Sequence, residues 1–491
     1  MIDAIVQALS IVFTVEGILI IALGAMVGTL VGAIPGLGGA ITLALLIPFS
    51  FALDSNIGIL LLIAALGGVN YGGSIPAIML NIPGTAPSVI TTIDGYQMSK
   101  NNQGGMALGA SAAASAAGAI IGLVFLMLMI PVVTQILLLF GPPEFLVVSV
   151  IGLLIVASVL KGSLTNGLIG VALGVTLGFH GFNSITGGLR FDFGILYLYD
   201  GIPLMLLIIG LFAISEMIVL SRDGSASLSD EVDLGESPMK GVVAVFQNWK
   251  LLFKSAVIGI IIGVIPAIGA TVSTLIAYSR AKAGASDPST FGKGDVRGVI
   301  APEGSNDAKD GASLLPTLAF SIPGSPSHAV LLGGILVHGV TPGPSLFESA
   351  NIYVVFLMVF GLLFSNLITS GVGLVLAKQV VKIANVPPAL IIPSVVVLSM
   401  FGAYAYRGNP VDMVLVLIMG LFGYLTIKAE ISRIAILFGM ILGPIIEDTF
   451  HQTMQIMRID SSRVLNSSVL VLILILIVGM FTYRYYSARS A

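Results

Sequence analysis

Long stretches of this chain carry no charge at all, and nothing constrains its fold more. Gly17 to Leu53, Asn101 to Pro143, Gly162 to Leu189, Ser349 to Ala377 and Val464 to Tyr483 contain no Asp, Glu, Lys or Arg. A helix needs about 20 apolar residues to cross a hydrocarbon core of ~30 Å. Several of these runs fit one span, and some fit two. With 56% hydrophobic and only 9% charged residues among 491, the chain lacks the charge to coat a water-soluble surface. The sequence therefore predicts an all-α polytopic membrane protein with about 10–14 transmembrane helices.

The same composition excludes other classes. A net charge of −3 argues against nucleic acid as a partner. Without cysteine there is neither a disulfide nor a thiolate metal site. His180, His338 and His451 show no ligand spacing, so no metal site is predicted. The first residues, "MIDAIVQALSIVFTVEG", have no basic region and carry Asp3 and Glu16. They read as a helix that stays in the mature protein, not as a cleaved signal.

Charge-bearing segments divide the apolar runs. Arg222 to Lys254 reads as an exposed linker, and Arg280 to Asp310 as a second polar segment. They suggest a first transmembrane repeat over residues 1–221 and a linker over 222–254. A second repeat over 255–463 and a C-terminal transmembrane helix and tail over 464–491 follow. Four landmarks recur in order. "GTLVGAIPGLG" at Gly28–Gly38 is echoed by "GIIIGVIPAIG" at Gly259–Gly269, a shift of 231 at the proline. "LNIPGTAPSVITT" at Leu80–Thr92 is echoed by "FSIPGSPSHAVLL" at Phe320–Leu332, a shift of 240. "GPPE" at Gly141 meets "VPPA" at Val386, and Lys161-Gly162 meets Arg407-Gly408, at shifts of 245 and 246. Ordered matches with slowly growing offsets point to a duplication, expected to be inverted in the membrane, a recurrent transporter design.

The two I-P-G breaks carry the functional reading. Gly311–Ile322 and Ser327–Val340 are apolar arms of 12 and 14 residues. As helices they reach about 18 and 21 Å, short of a ~30 Å core. Paired re-entrant hairpins are therefore predicted, turning at Pro323–Pro326 in one half and over Asn81–Ser88 in the other. Backbone left unpaired at such tips is tolerated only where protein or a water-filled cavity satisfies it. Helix N-termini there attract carboxylates, and unwound carbonyls with Ser/Thr oxygens suit a small cation such as Na+. Neither tip proline has a Lys or Arg within ten residues, so main-chain dipoles would have to hold an anion. Lys240, Lys250, Lys254 and Arg280 to Arg297 flank "IPAIGA", so Ser255–Ser279 either turns back or crosses once.

"GAIPGLGG", "YGGSIPAIMLNIPGTAPSVITTIDGYQM", "GGMALG" and "GVIAPEGSNDAKDGASLLPTLAFSIPGSPSHAVLLGGILVHGVTPGPSLF" resemble the large membrane subunit of tripartite tricarboxylate transporters, the TctA type. The likeness covers about residues 15 to 460, with one departure: Ala267 stands where the first copy has Gly36. The resemblance implies a secondary carrier of the cytoplasmic (inner) membrane for citrate-like tricarboxylates or dicarboxylates, driven by Na+ or H+. It implies a small four-helix membrane subunit and an extracytoplasmic solute-binding protein as partners. A homodimer is a further expectation, and no cofactor is expected beyond Na+ as a coupling ion. Expected substrate-binding positions are Asn81, Pro83, Gly84, Thr85, Ser88, Ser321, Pro323, Gly324, Ser325 and Ser327, with Gly36, Gly38 and Asn306. Tyr71, Gly72, Ser74 and Thr271 are expected to support a cation, and the mechanism to be alternating access of an elevator-like kind.

Other polar residues have plainer readings. Glu144, Glu216, Glu348, Glu447 and Asp448 sit near ends of apolar runs, where pairing with Arg458 or Lys382 explains them. Asp94 is expected to close the first hairpin at the membrane surface, and His328 to hydrogen-bond locally. Lys161 and Arg407 suit the interface, and Arg484 and Arg489 place the tail in the cytoplasm. Two alternatives remain: a passive anion channel, and an intramembrane hydrolase with Ser88 or Ser327 as nucleophile. The second lacks a positioned base in the sequence.

Overall fold

The computed structural model describes residues 1–159, 163–183, 185–223, 234–266, 268–384, 386–465, 467 and 470. Lys161, Gly162, Ala267, Arg484, Arg489 and nearly all of the expected C-terminal helix lie outside the described residues.

Among the described residues the regular structure is helical, apart from a small β-hairpin pairing Gly181–Phe182 with Leu189–Arg190. Its first part builds α1 (Ile2–Val12), α2 (Val15–Gly32), α3 (Gly39–Phe51), α4 (Ser55–Leu80) and α5 (Val89–Lys100). Next come α6 (Gly104–Leu137), α7 (Pro142–Val159) and α8 (Leu164–Gly178). α9 (Leu204–Ile208) and α10 (Ser215–Asp223) are one helix joined by a π-helical turn at Ile209–Ile214. The second part builds α11 (Pro238–Gln247), α12 (Trp249–Val264), α13 (Ala270–Ala283), α14 (Arg297–Phe320) and α15 (Pro326–Val337). It ends with α16 (Ile352–Ala384), α17 (Pro388–Arg407), α18 (Pro410–Lys428), α19 (Arg433–Ile459) and α20 (Ser461–Leu465).

Among the described residues, eight helices are long and apolar enough to cross a membrane, or nine if the bent pair α11–α12 is one span. The expected ten to fourteen is reached only by counting shorter apolar helices such as α3 and α15. Two features depart from the sequence reading. The stretch taken as a linker is helical from Pro238, where Ser237 caps α11 by accepting the Met239 N–H. Residues 297–310, read as part of a polar segment, instead form the first half of α14, with Glu303, Asp307, Lys309 and Asp310 all buried. α14 thus has 24 residues, about 36 Å of helix, and the 12-residue arm is only its second half.

Close helix packing fixes the centre. A Cβ on Gly24, Gly28 or Gly32 of α2 would collide with backbone of α4 at Leu61, Ala65 or Val69. Gly259 and Gly263 of α12 meet α14 in the same way at Ser305 and Lys309. Small residues at such seams let helix backbones approach where apolar burial gives no drive toward association. The remaining contacts come in matching pairs. α6 packs on α14 and α16 on α4; α3 on α15 and α13 on α5; α1 on α16 and α11 on α6. α7 and α8 pack on α19, while α17 and α18 pack on the helix of α9 and α10. Between residues 255 and 279, α12 ends at Val264 and α13 begins at Ala270.

Candidate functional site

The breaks at Pro83 and Pro323 share one backbone course. α4 ends at Asn81 (φ 60°) and α14 at Ser321 (φ 57°), both left-handed. The N–H groups of Asn81 and Ile82 turn back to the Pro76 carbonyl, and those of Ser321 and Ile322 to the Pro316 carbonyl. A left-handed residue that closes the last carbonyls is an ordinary helix stop, but glycine usually fills it. Asn tolerates the conformation better than Ser.

Past this stop each chain doubles back along the helix it has left. The Gly84 N–H donates to the Gly73 carbonyl at 3.1 Å. Gly73 lies eight residues before Asn81, so the chain retreats about 12 Å. A Cβ on Gly84 would collide with the Gly32 carbonyl. A Cβ on Gly324 would come within 2.8 Å of the Ser313 side chain, eight residues before Ser321. The hairpins therefore differ from the sequence expectation. Their incoming limbs are short non-helical segments beside a full-length helix, and Asn81 and Ser321 mark the helix end, not the apex. Asn81 is exposed, whereas Gly84, Thr85 and Ser88 are buried and Pro83 is half-buried.

Each apex opens a helix. In the first, the Ser88 hydroxyl lies 2.9 Å from the Thr85 hydroxyl, accepts the Thr85 N–H at 3.1 Å and donates to the Thr85 carbonyl at 2.7 Å. In the second, Ser325 caps α15 and its hydroxyl meets His328 Nδ1 at 2.8 Å. Each apex also faces the other part's break. Ser327 lies against Gly39 at the start of α3, and the Thr274 hydroxyl of α13 donates to the Pro87 carbonyl at 3.4 Å. The starts of α3 and α13, at Gly38 and Gly269, carry no side-chain cap. Two helix N-termini thus meet at each place, α3 with α15 and α13 with α5, and first-turn N–H groups carry partial positive charge. Gly36 (φ 88°) is exposed with open space beside it, Gly38 is half-buried and Thr271 is exposed. Among the described residues no hydrogen bond joins the two apices directly.

A second polar centre, which the sequence reading missed, lies inside α14. The Glu303 carboxylate accepts from Ser74 at 2.8 and 3.0 Å, Ser111 at 2.9 Å, Ser115 at 3.2 Å and also from Thr91. Ser74, expected near a cation, is therefore a hydrogen-bond donor to Glu303. Lys309 Nζ pairs with Asp310 Oδ1 at 2.7 Å. Asn70 Nδ2 donates to Asp310 Oδ2 at 2.6 Å and to Asp307 Oδ1 at 3.3 Å. Asn306 is buried in this helix, and its side-chain oxygen and the Tyr71 hydroxyl have no hydrogen-bond partner among the described residues. Gly72 packs against the Thr29 backbone of α2. The legible signal was the spacing of Glu303, Asp307 and Asp310 at i, i+4 and i+7, one helical face, together with Ser111 and Ser115 in a small-residue run.

Several lesser expectations need correction. Asp94, expected to close the first hairpin, is fully buried within the protein and ties α5 to the 292–295 loop. Its Oδ1 accepts the N–H groups of Gly292, Gly294 and Asp295 at 2.8–2.9 Å, and Oδ2 the Tyr278 hydroxyl at 2.8 Å. Within this loop, burial alone would push Asp295 up, but hydrogen bonds from Arg297 and Thr290 hold it below the usual carboxylate range. Glu216 pairs with Arg433 at 3.1 Å and Glu447 with Arg190 at 2.7 Å, not with Arg458 or Lys382. Arg407 pairs with Asp412 at 2.8 Å. Of the two serines considered as nucleophiles, Ser88 hydrogen-bonds within its own apex and Ser327 lies against Gly39; the His328 ring nitrogens meet Ser325 and the Asp310 carbonyl instead. Among the described residues no three His, Cys, Asp or Glu side chains gather as a metal site.

Long apolar helices with matched internal breaks define a multi-pass membrane protein. The chain belongs to the tripartite tricarboxylate transporter TctA family, whose profile matches residues 18–438. That family provides the large subunit of tripartite transporters, which work with other subunits including a binding protein; it is a transporter family, not an enzyme family. The chain is 31% identical over 452 residues to an uncharacterized 52.8 kDa protein in the TAR-I ttuC' 3' region of Agrobacterium vitis, covering 89% of this chain and 87% of that protein. It is 30% identical over 208 residues to an uncharacterized protein in the TAR-II ttuC' 3' region of the same organism, covering 42% of this chain and 84% of the relative. No solved structure matches.

Proposed function

We propose that this chain is the anion-carrying subunit of a secondary carrier that imports tricarboxylates or dicarboxylates such as citrate across the inner membrane. A Na+ or H+ gradient drives uptake, and a small four-helix membrane subunit and an extracytoplasmic binding protein complete the assembly. The observation that carries this reading is the meeting of helix N-termini, α3 with α15 and α13 with α5, at apices whose own segments carry no Lys or Arg, the Lys309 ammonium behind the second apex being paired with Asp310. Main-chain N–H groups can grip a multivalent carboxylate and still release it, because no buried guanidinium holds it in place. Pro83, Gly84, Thr85 and Ser88, with Ser321, Pro323, Gly324, Ser325 and Ser327, shape the two apices; Gly36 and Gly38 line the facing break. The matched packing pairs support a duplicated, inverted architecture in which α4 and α14 are counterparts. Alternating access is then an elevator-like movement of the apex-bearing core.

The test is a screen of radiolabelled di- and tricarboxylates in proteoliposomes, with the binding protein supplied. Gradient-dependent accumulation is expected. Downhill flux alone would make the protein a channel, and no flux of any carboxylate would overturn the reading.

A further inference from the structure

The polar centre in α14 exceeds what an anion site at helix ends requires, and among the described residues one of its carboxylate oxygens stands without a hydrogen-bond partner. Glu303 is met by four hydroxyls, and Asp310 by an ammonium and an amide. Asp307 Oδ1 accepts the shared Asn70 amide at 3.3 Å, with the Ser115 hydroxyl close by, while its Oδ2 is buried with no hydrogen-bond partner among the described residues. Three carboxylates here face a single ammonium, Lys309, which is spent on Asp310. An isolated buried carboxylate is strongly disfavoured and is relieved by gaining a proton or another cation.

Building on the carrier reading above, we infer that Asp307 is the residue that binds and releases a proton moved together with the anion. On its own helix it faces Glu303 and Asp310, with Lys309 beyond Asp310. From other elements it faces Asn70 of α4 and Ser115 of α6, while His328 of α15 stands behind Asp310. Asp94 of α5 and Tyr278 of α13 are engaged with each other, and Glu144 of α7 accepts the Gly141 N–H. The lysines of α12 and α16 and the basic residues of α13 are exposed. Asp307 therefore has no basic partner of its own among the described residues.

A proton fits this place better than Na+. The other bare oxygen on the same stretch, Asn306 Oδ1, belongs to the next residue, which points about 100° away around the helix. A hard cation wants about six converging oxygens; a proton wants one. The step needs no co-reactant. An O–H bond forms at Asp307 Oδ2 with a proton from water on the side where the anion loads. It breaks to water on the other side, and no other bond changes.

The experiment compares wild type and Asp307→Asn, each reconstituted with the small membrane subunit and supplied with the binding protein, using labelled citrate and succinate. Wild type is expected to accumulate anion under an inward proton gradient and also to exchange internal for external anion. Asp307→Asn is expected to lose accumulation at least tenfold while exchanging within threefold of wild type, with a flat pH profile. Undiminished accumulation in the variant overturns the inference, as does wild-type accumulation that follows Na+ and ignores pH. A variant inactive in both assays passes the decision to a measurement on wild type, labelling by dicyclohexylcarbodiimide, which attacks protonated carboxyls. An Asp307 adduct that fades as pH rises supports the inference; no adduct, or one indifferent to pH, overturns it. Failure of wild type even to exchange these anions would sink the carrier reading instead.

Discussion

Asp94→Ala removes the anchor of the 292–295 loop, and the consequence can be worked from the geometry. Oδ1 of Asp94 holds three backbone N–H groups, from Gly292, Gly294 and Asp295, at 2.8–2.9 Å. Hydrogen bonds to a charged group contribute about 1.5–3 kcal/mol each. Gly292 is exposed and its N–H can be rehydrated, so the low end applies. The loop then loses about 4 kcal/mol of local stability, roughly a thousandfold rise in its open population. Lys293 lies within the loop and is exposed, which makes limited trypsin digestion in detergent a direct readout. When opening is fast relative to cleavage, the cut rate follows the open population. Cleavage at Lys293, measured against exposed Lys240 on α11, should rise by two to three orders of magnitude. Tyr278→Phe removes only the hydroxyl on Oδ2, about 1.5 kcal/mol on the same scale, and should raise it roughly tenfold. A rate within threefold of wild type in Asp94→Ala would show that other contacts hold the loop and that the three hydrogen bonds contribute little.

Two further outcomes follow from the packing and the apices. Gly28→Leu forces α2 off the Ala65 carbonyl of α4; overpacking at such a seam costs at least 1–3 kcal/mol. The detergent-purified variant should melt several degrees lower, and an unchanged melting temperature would contradict the described approach of the two backbones. Ser327→Ala should raise the apparent substrate constant about fivefold, through loss of a hydrogen bond worth about 1 kcal/mol. An unaltered constant removes Ser327 from the anion site.

The fold class was legible because charge-free runs leave a chain few options, and the proline-glycine breaks could be located to within a few residues. Their course was less legible. A residue such as Asn81 or Ser321 stops a helix by adopting a left-handed conformation that no local pattern marks, so the retreat from Asn81 to Gly84 was read as a simple turn. The centre around Glu303 was hidden for a different reason. Four charges within eight residues, Glu303 to Asp310, look like a solvated segment in one dimension. What satisfies them is Asn70, Ser74, Thr91, Ser111 and Ser115, roughly 190 to 240 residues earlier in the chain. Hydroxyls on apolar helices carry no sequence signal of what they are waiting for. Asp94 misled in the same way, because its partners are main-chain groups across the molecule.

The pairing of α14 with α6 and α4 also bears on how the protein is made. α14 is absent from the helices apolar enough to cross a membrane by themselves, so insertion machinery reading it alone has little reason to release it into lipid. Its hydroxyl and amide receptors all belong to helices synthesised earlier. The ribosome delivers the lock before the key: α4, α5 and α6 must already be seated, with their polar faces turned inward, when the charged helix emerges. A chain begun at α11 and lacking the first half should therefore strand α14 in water.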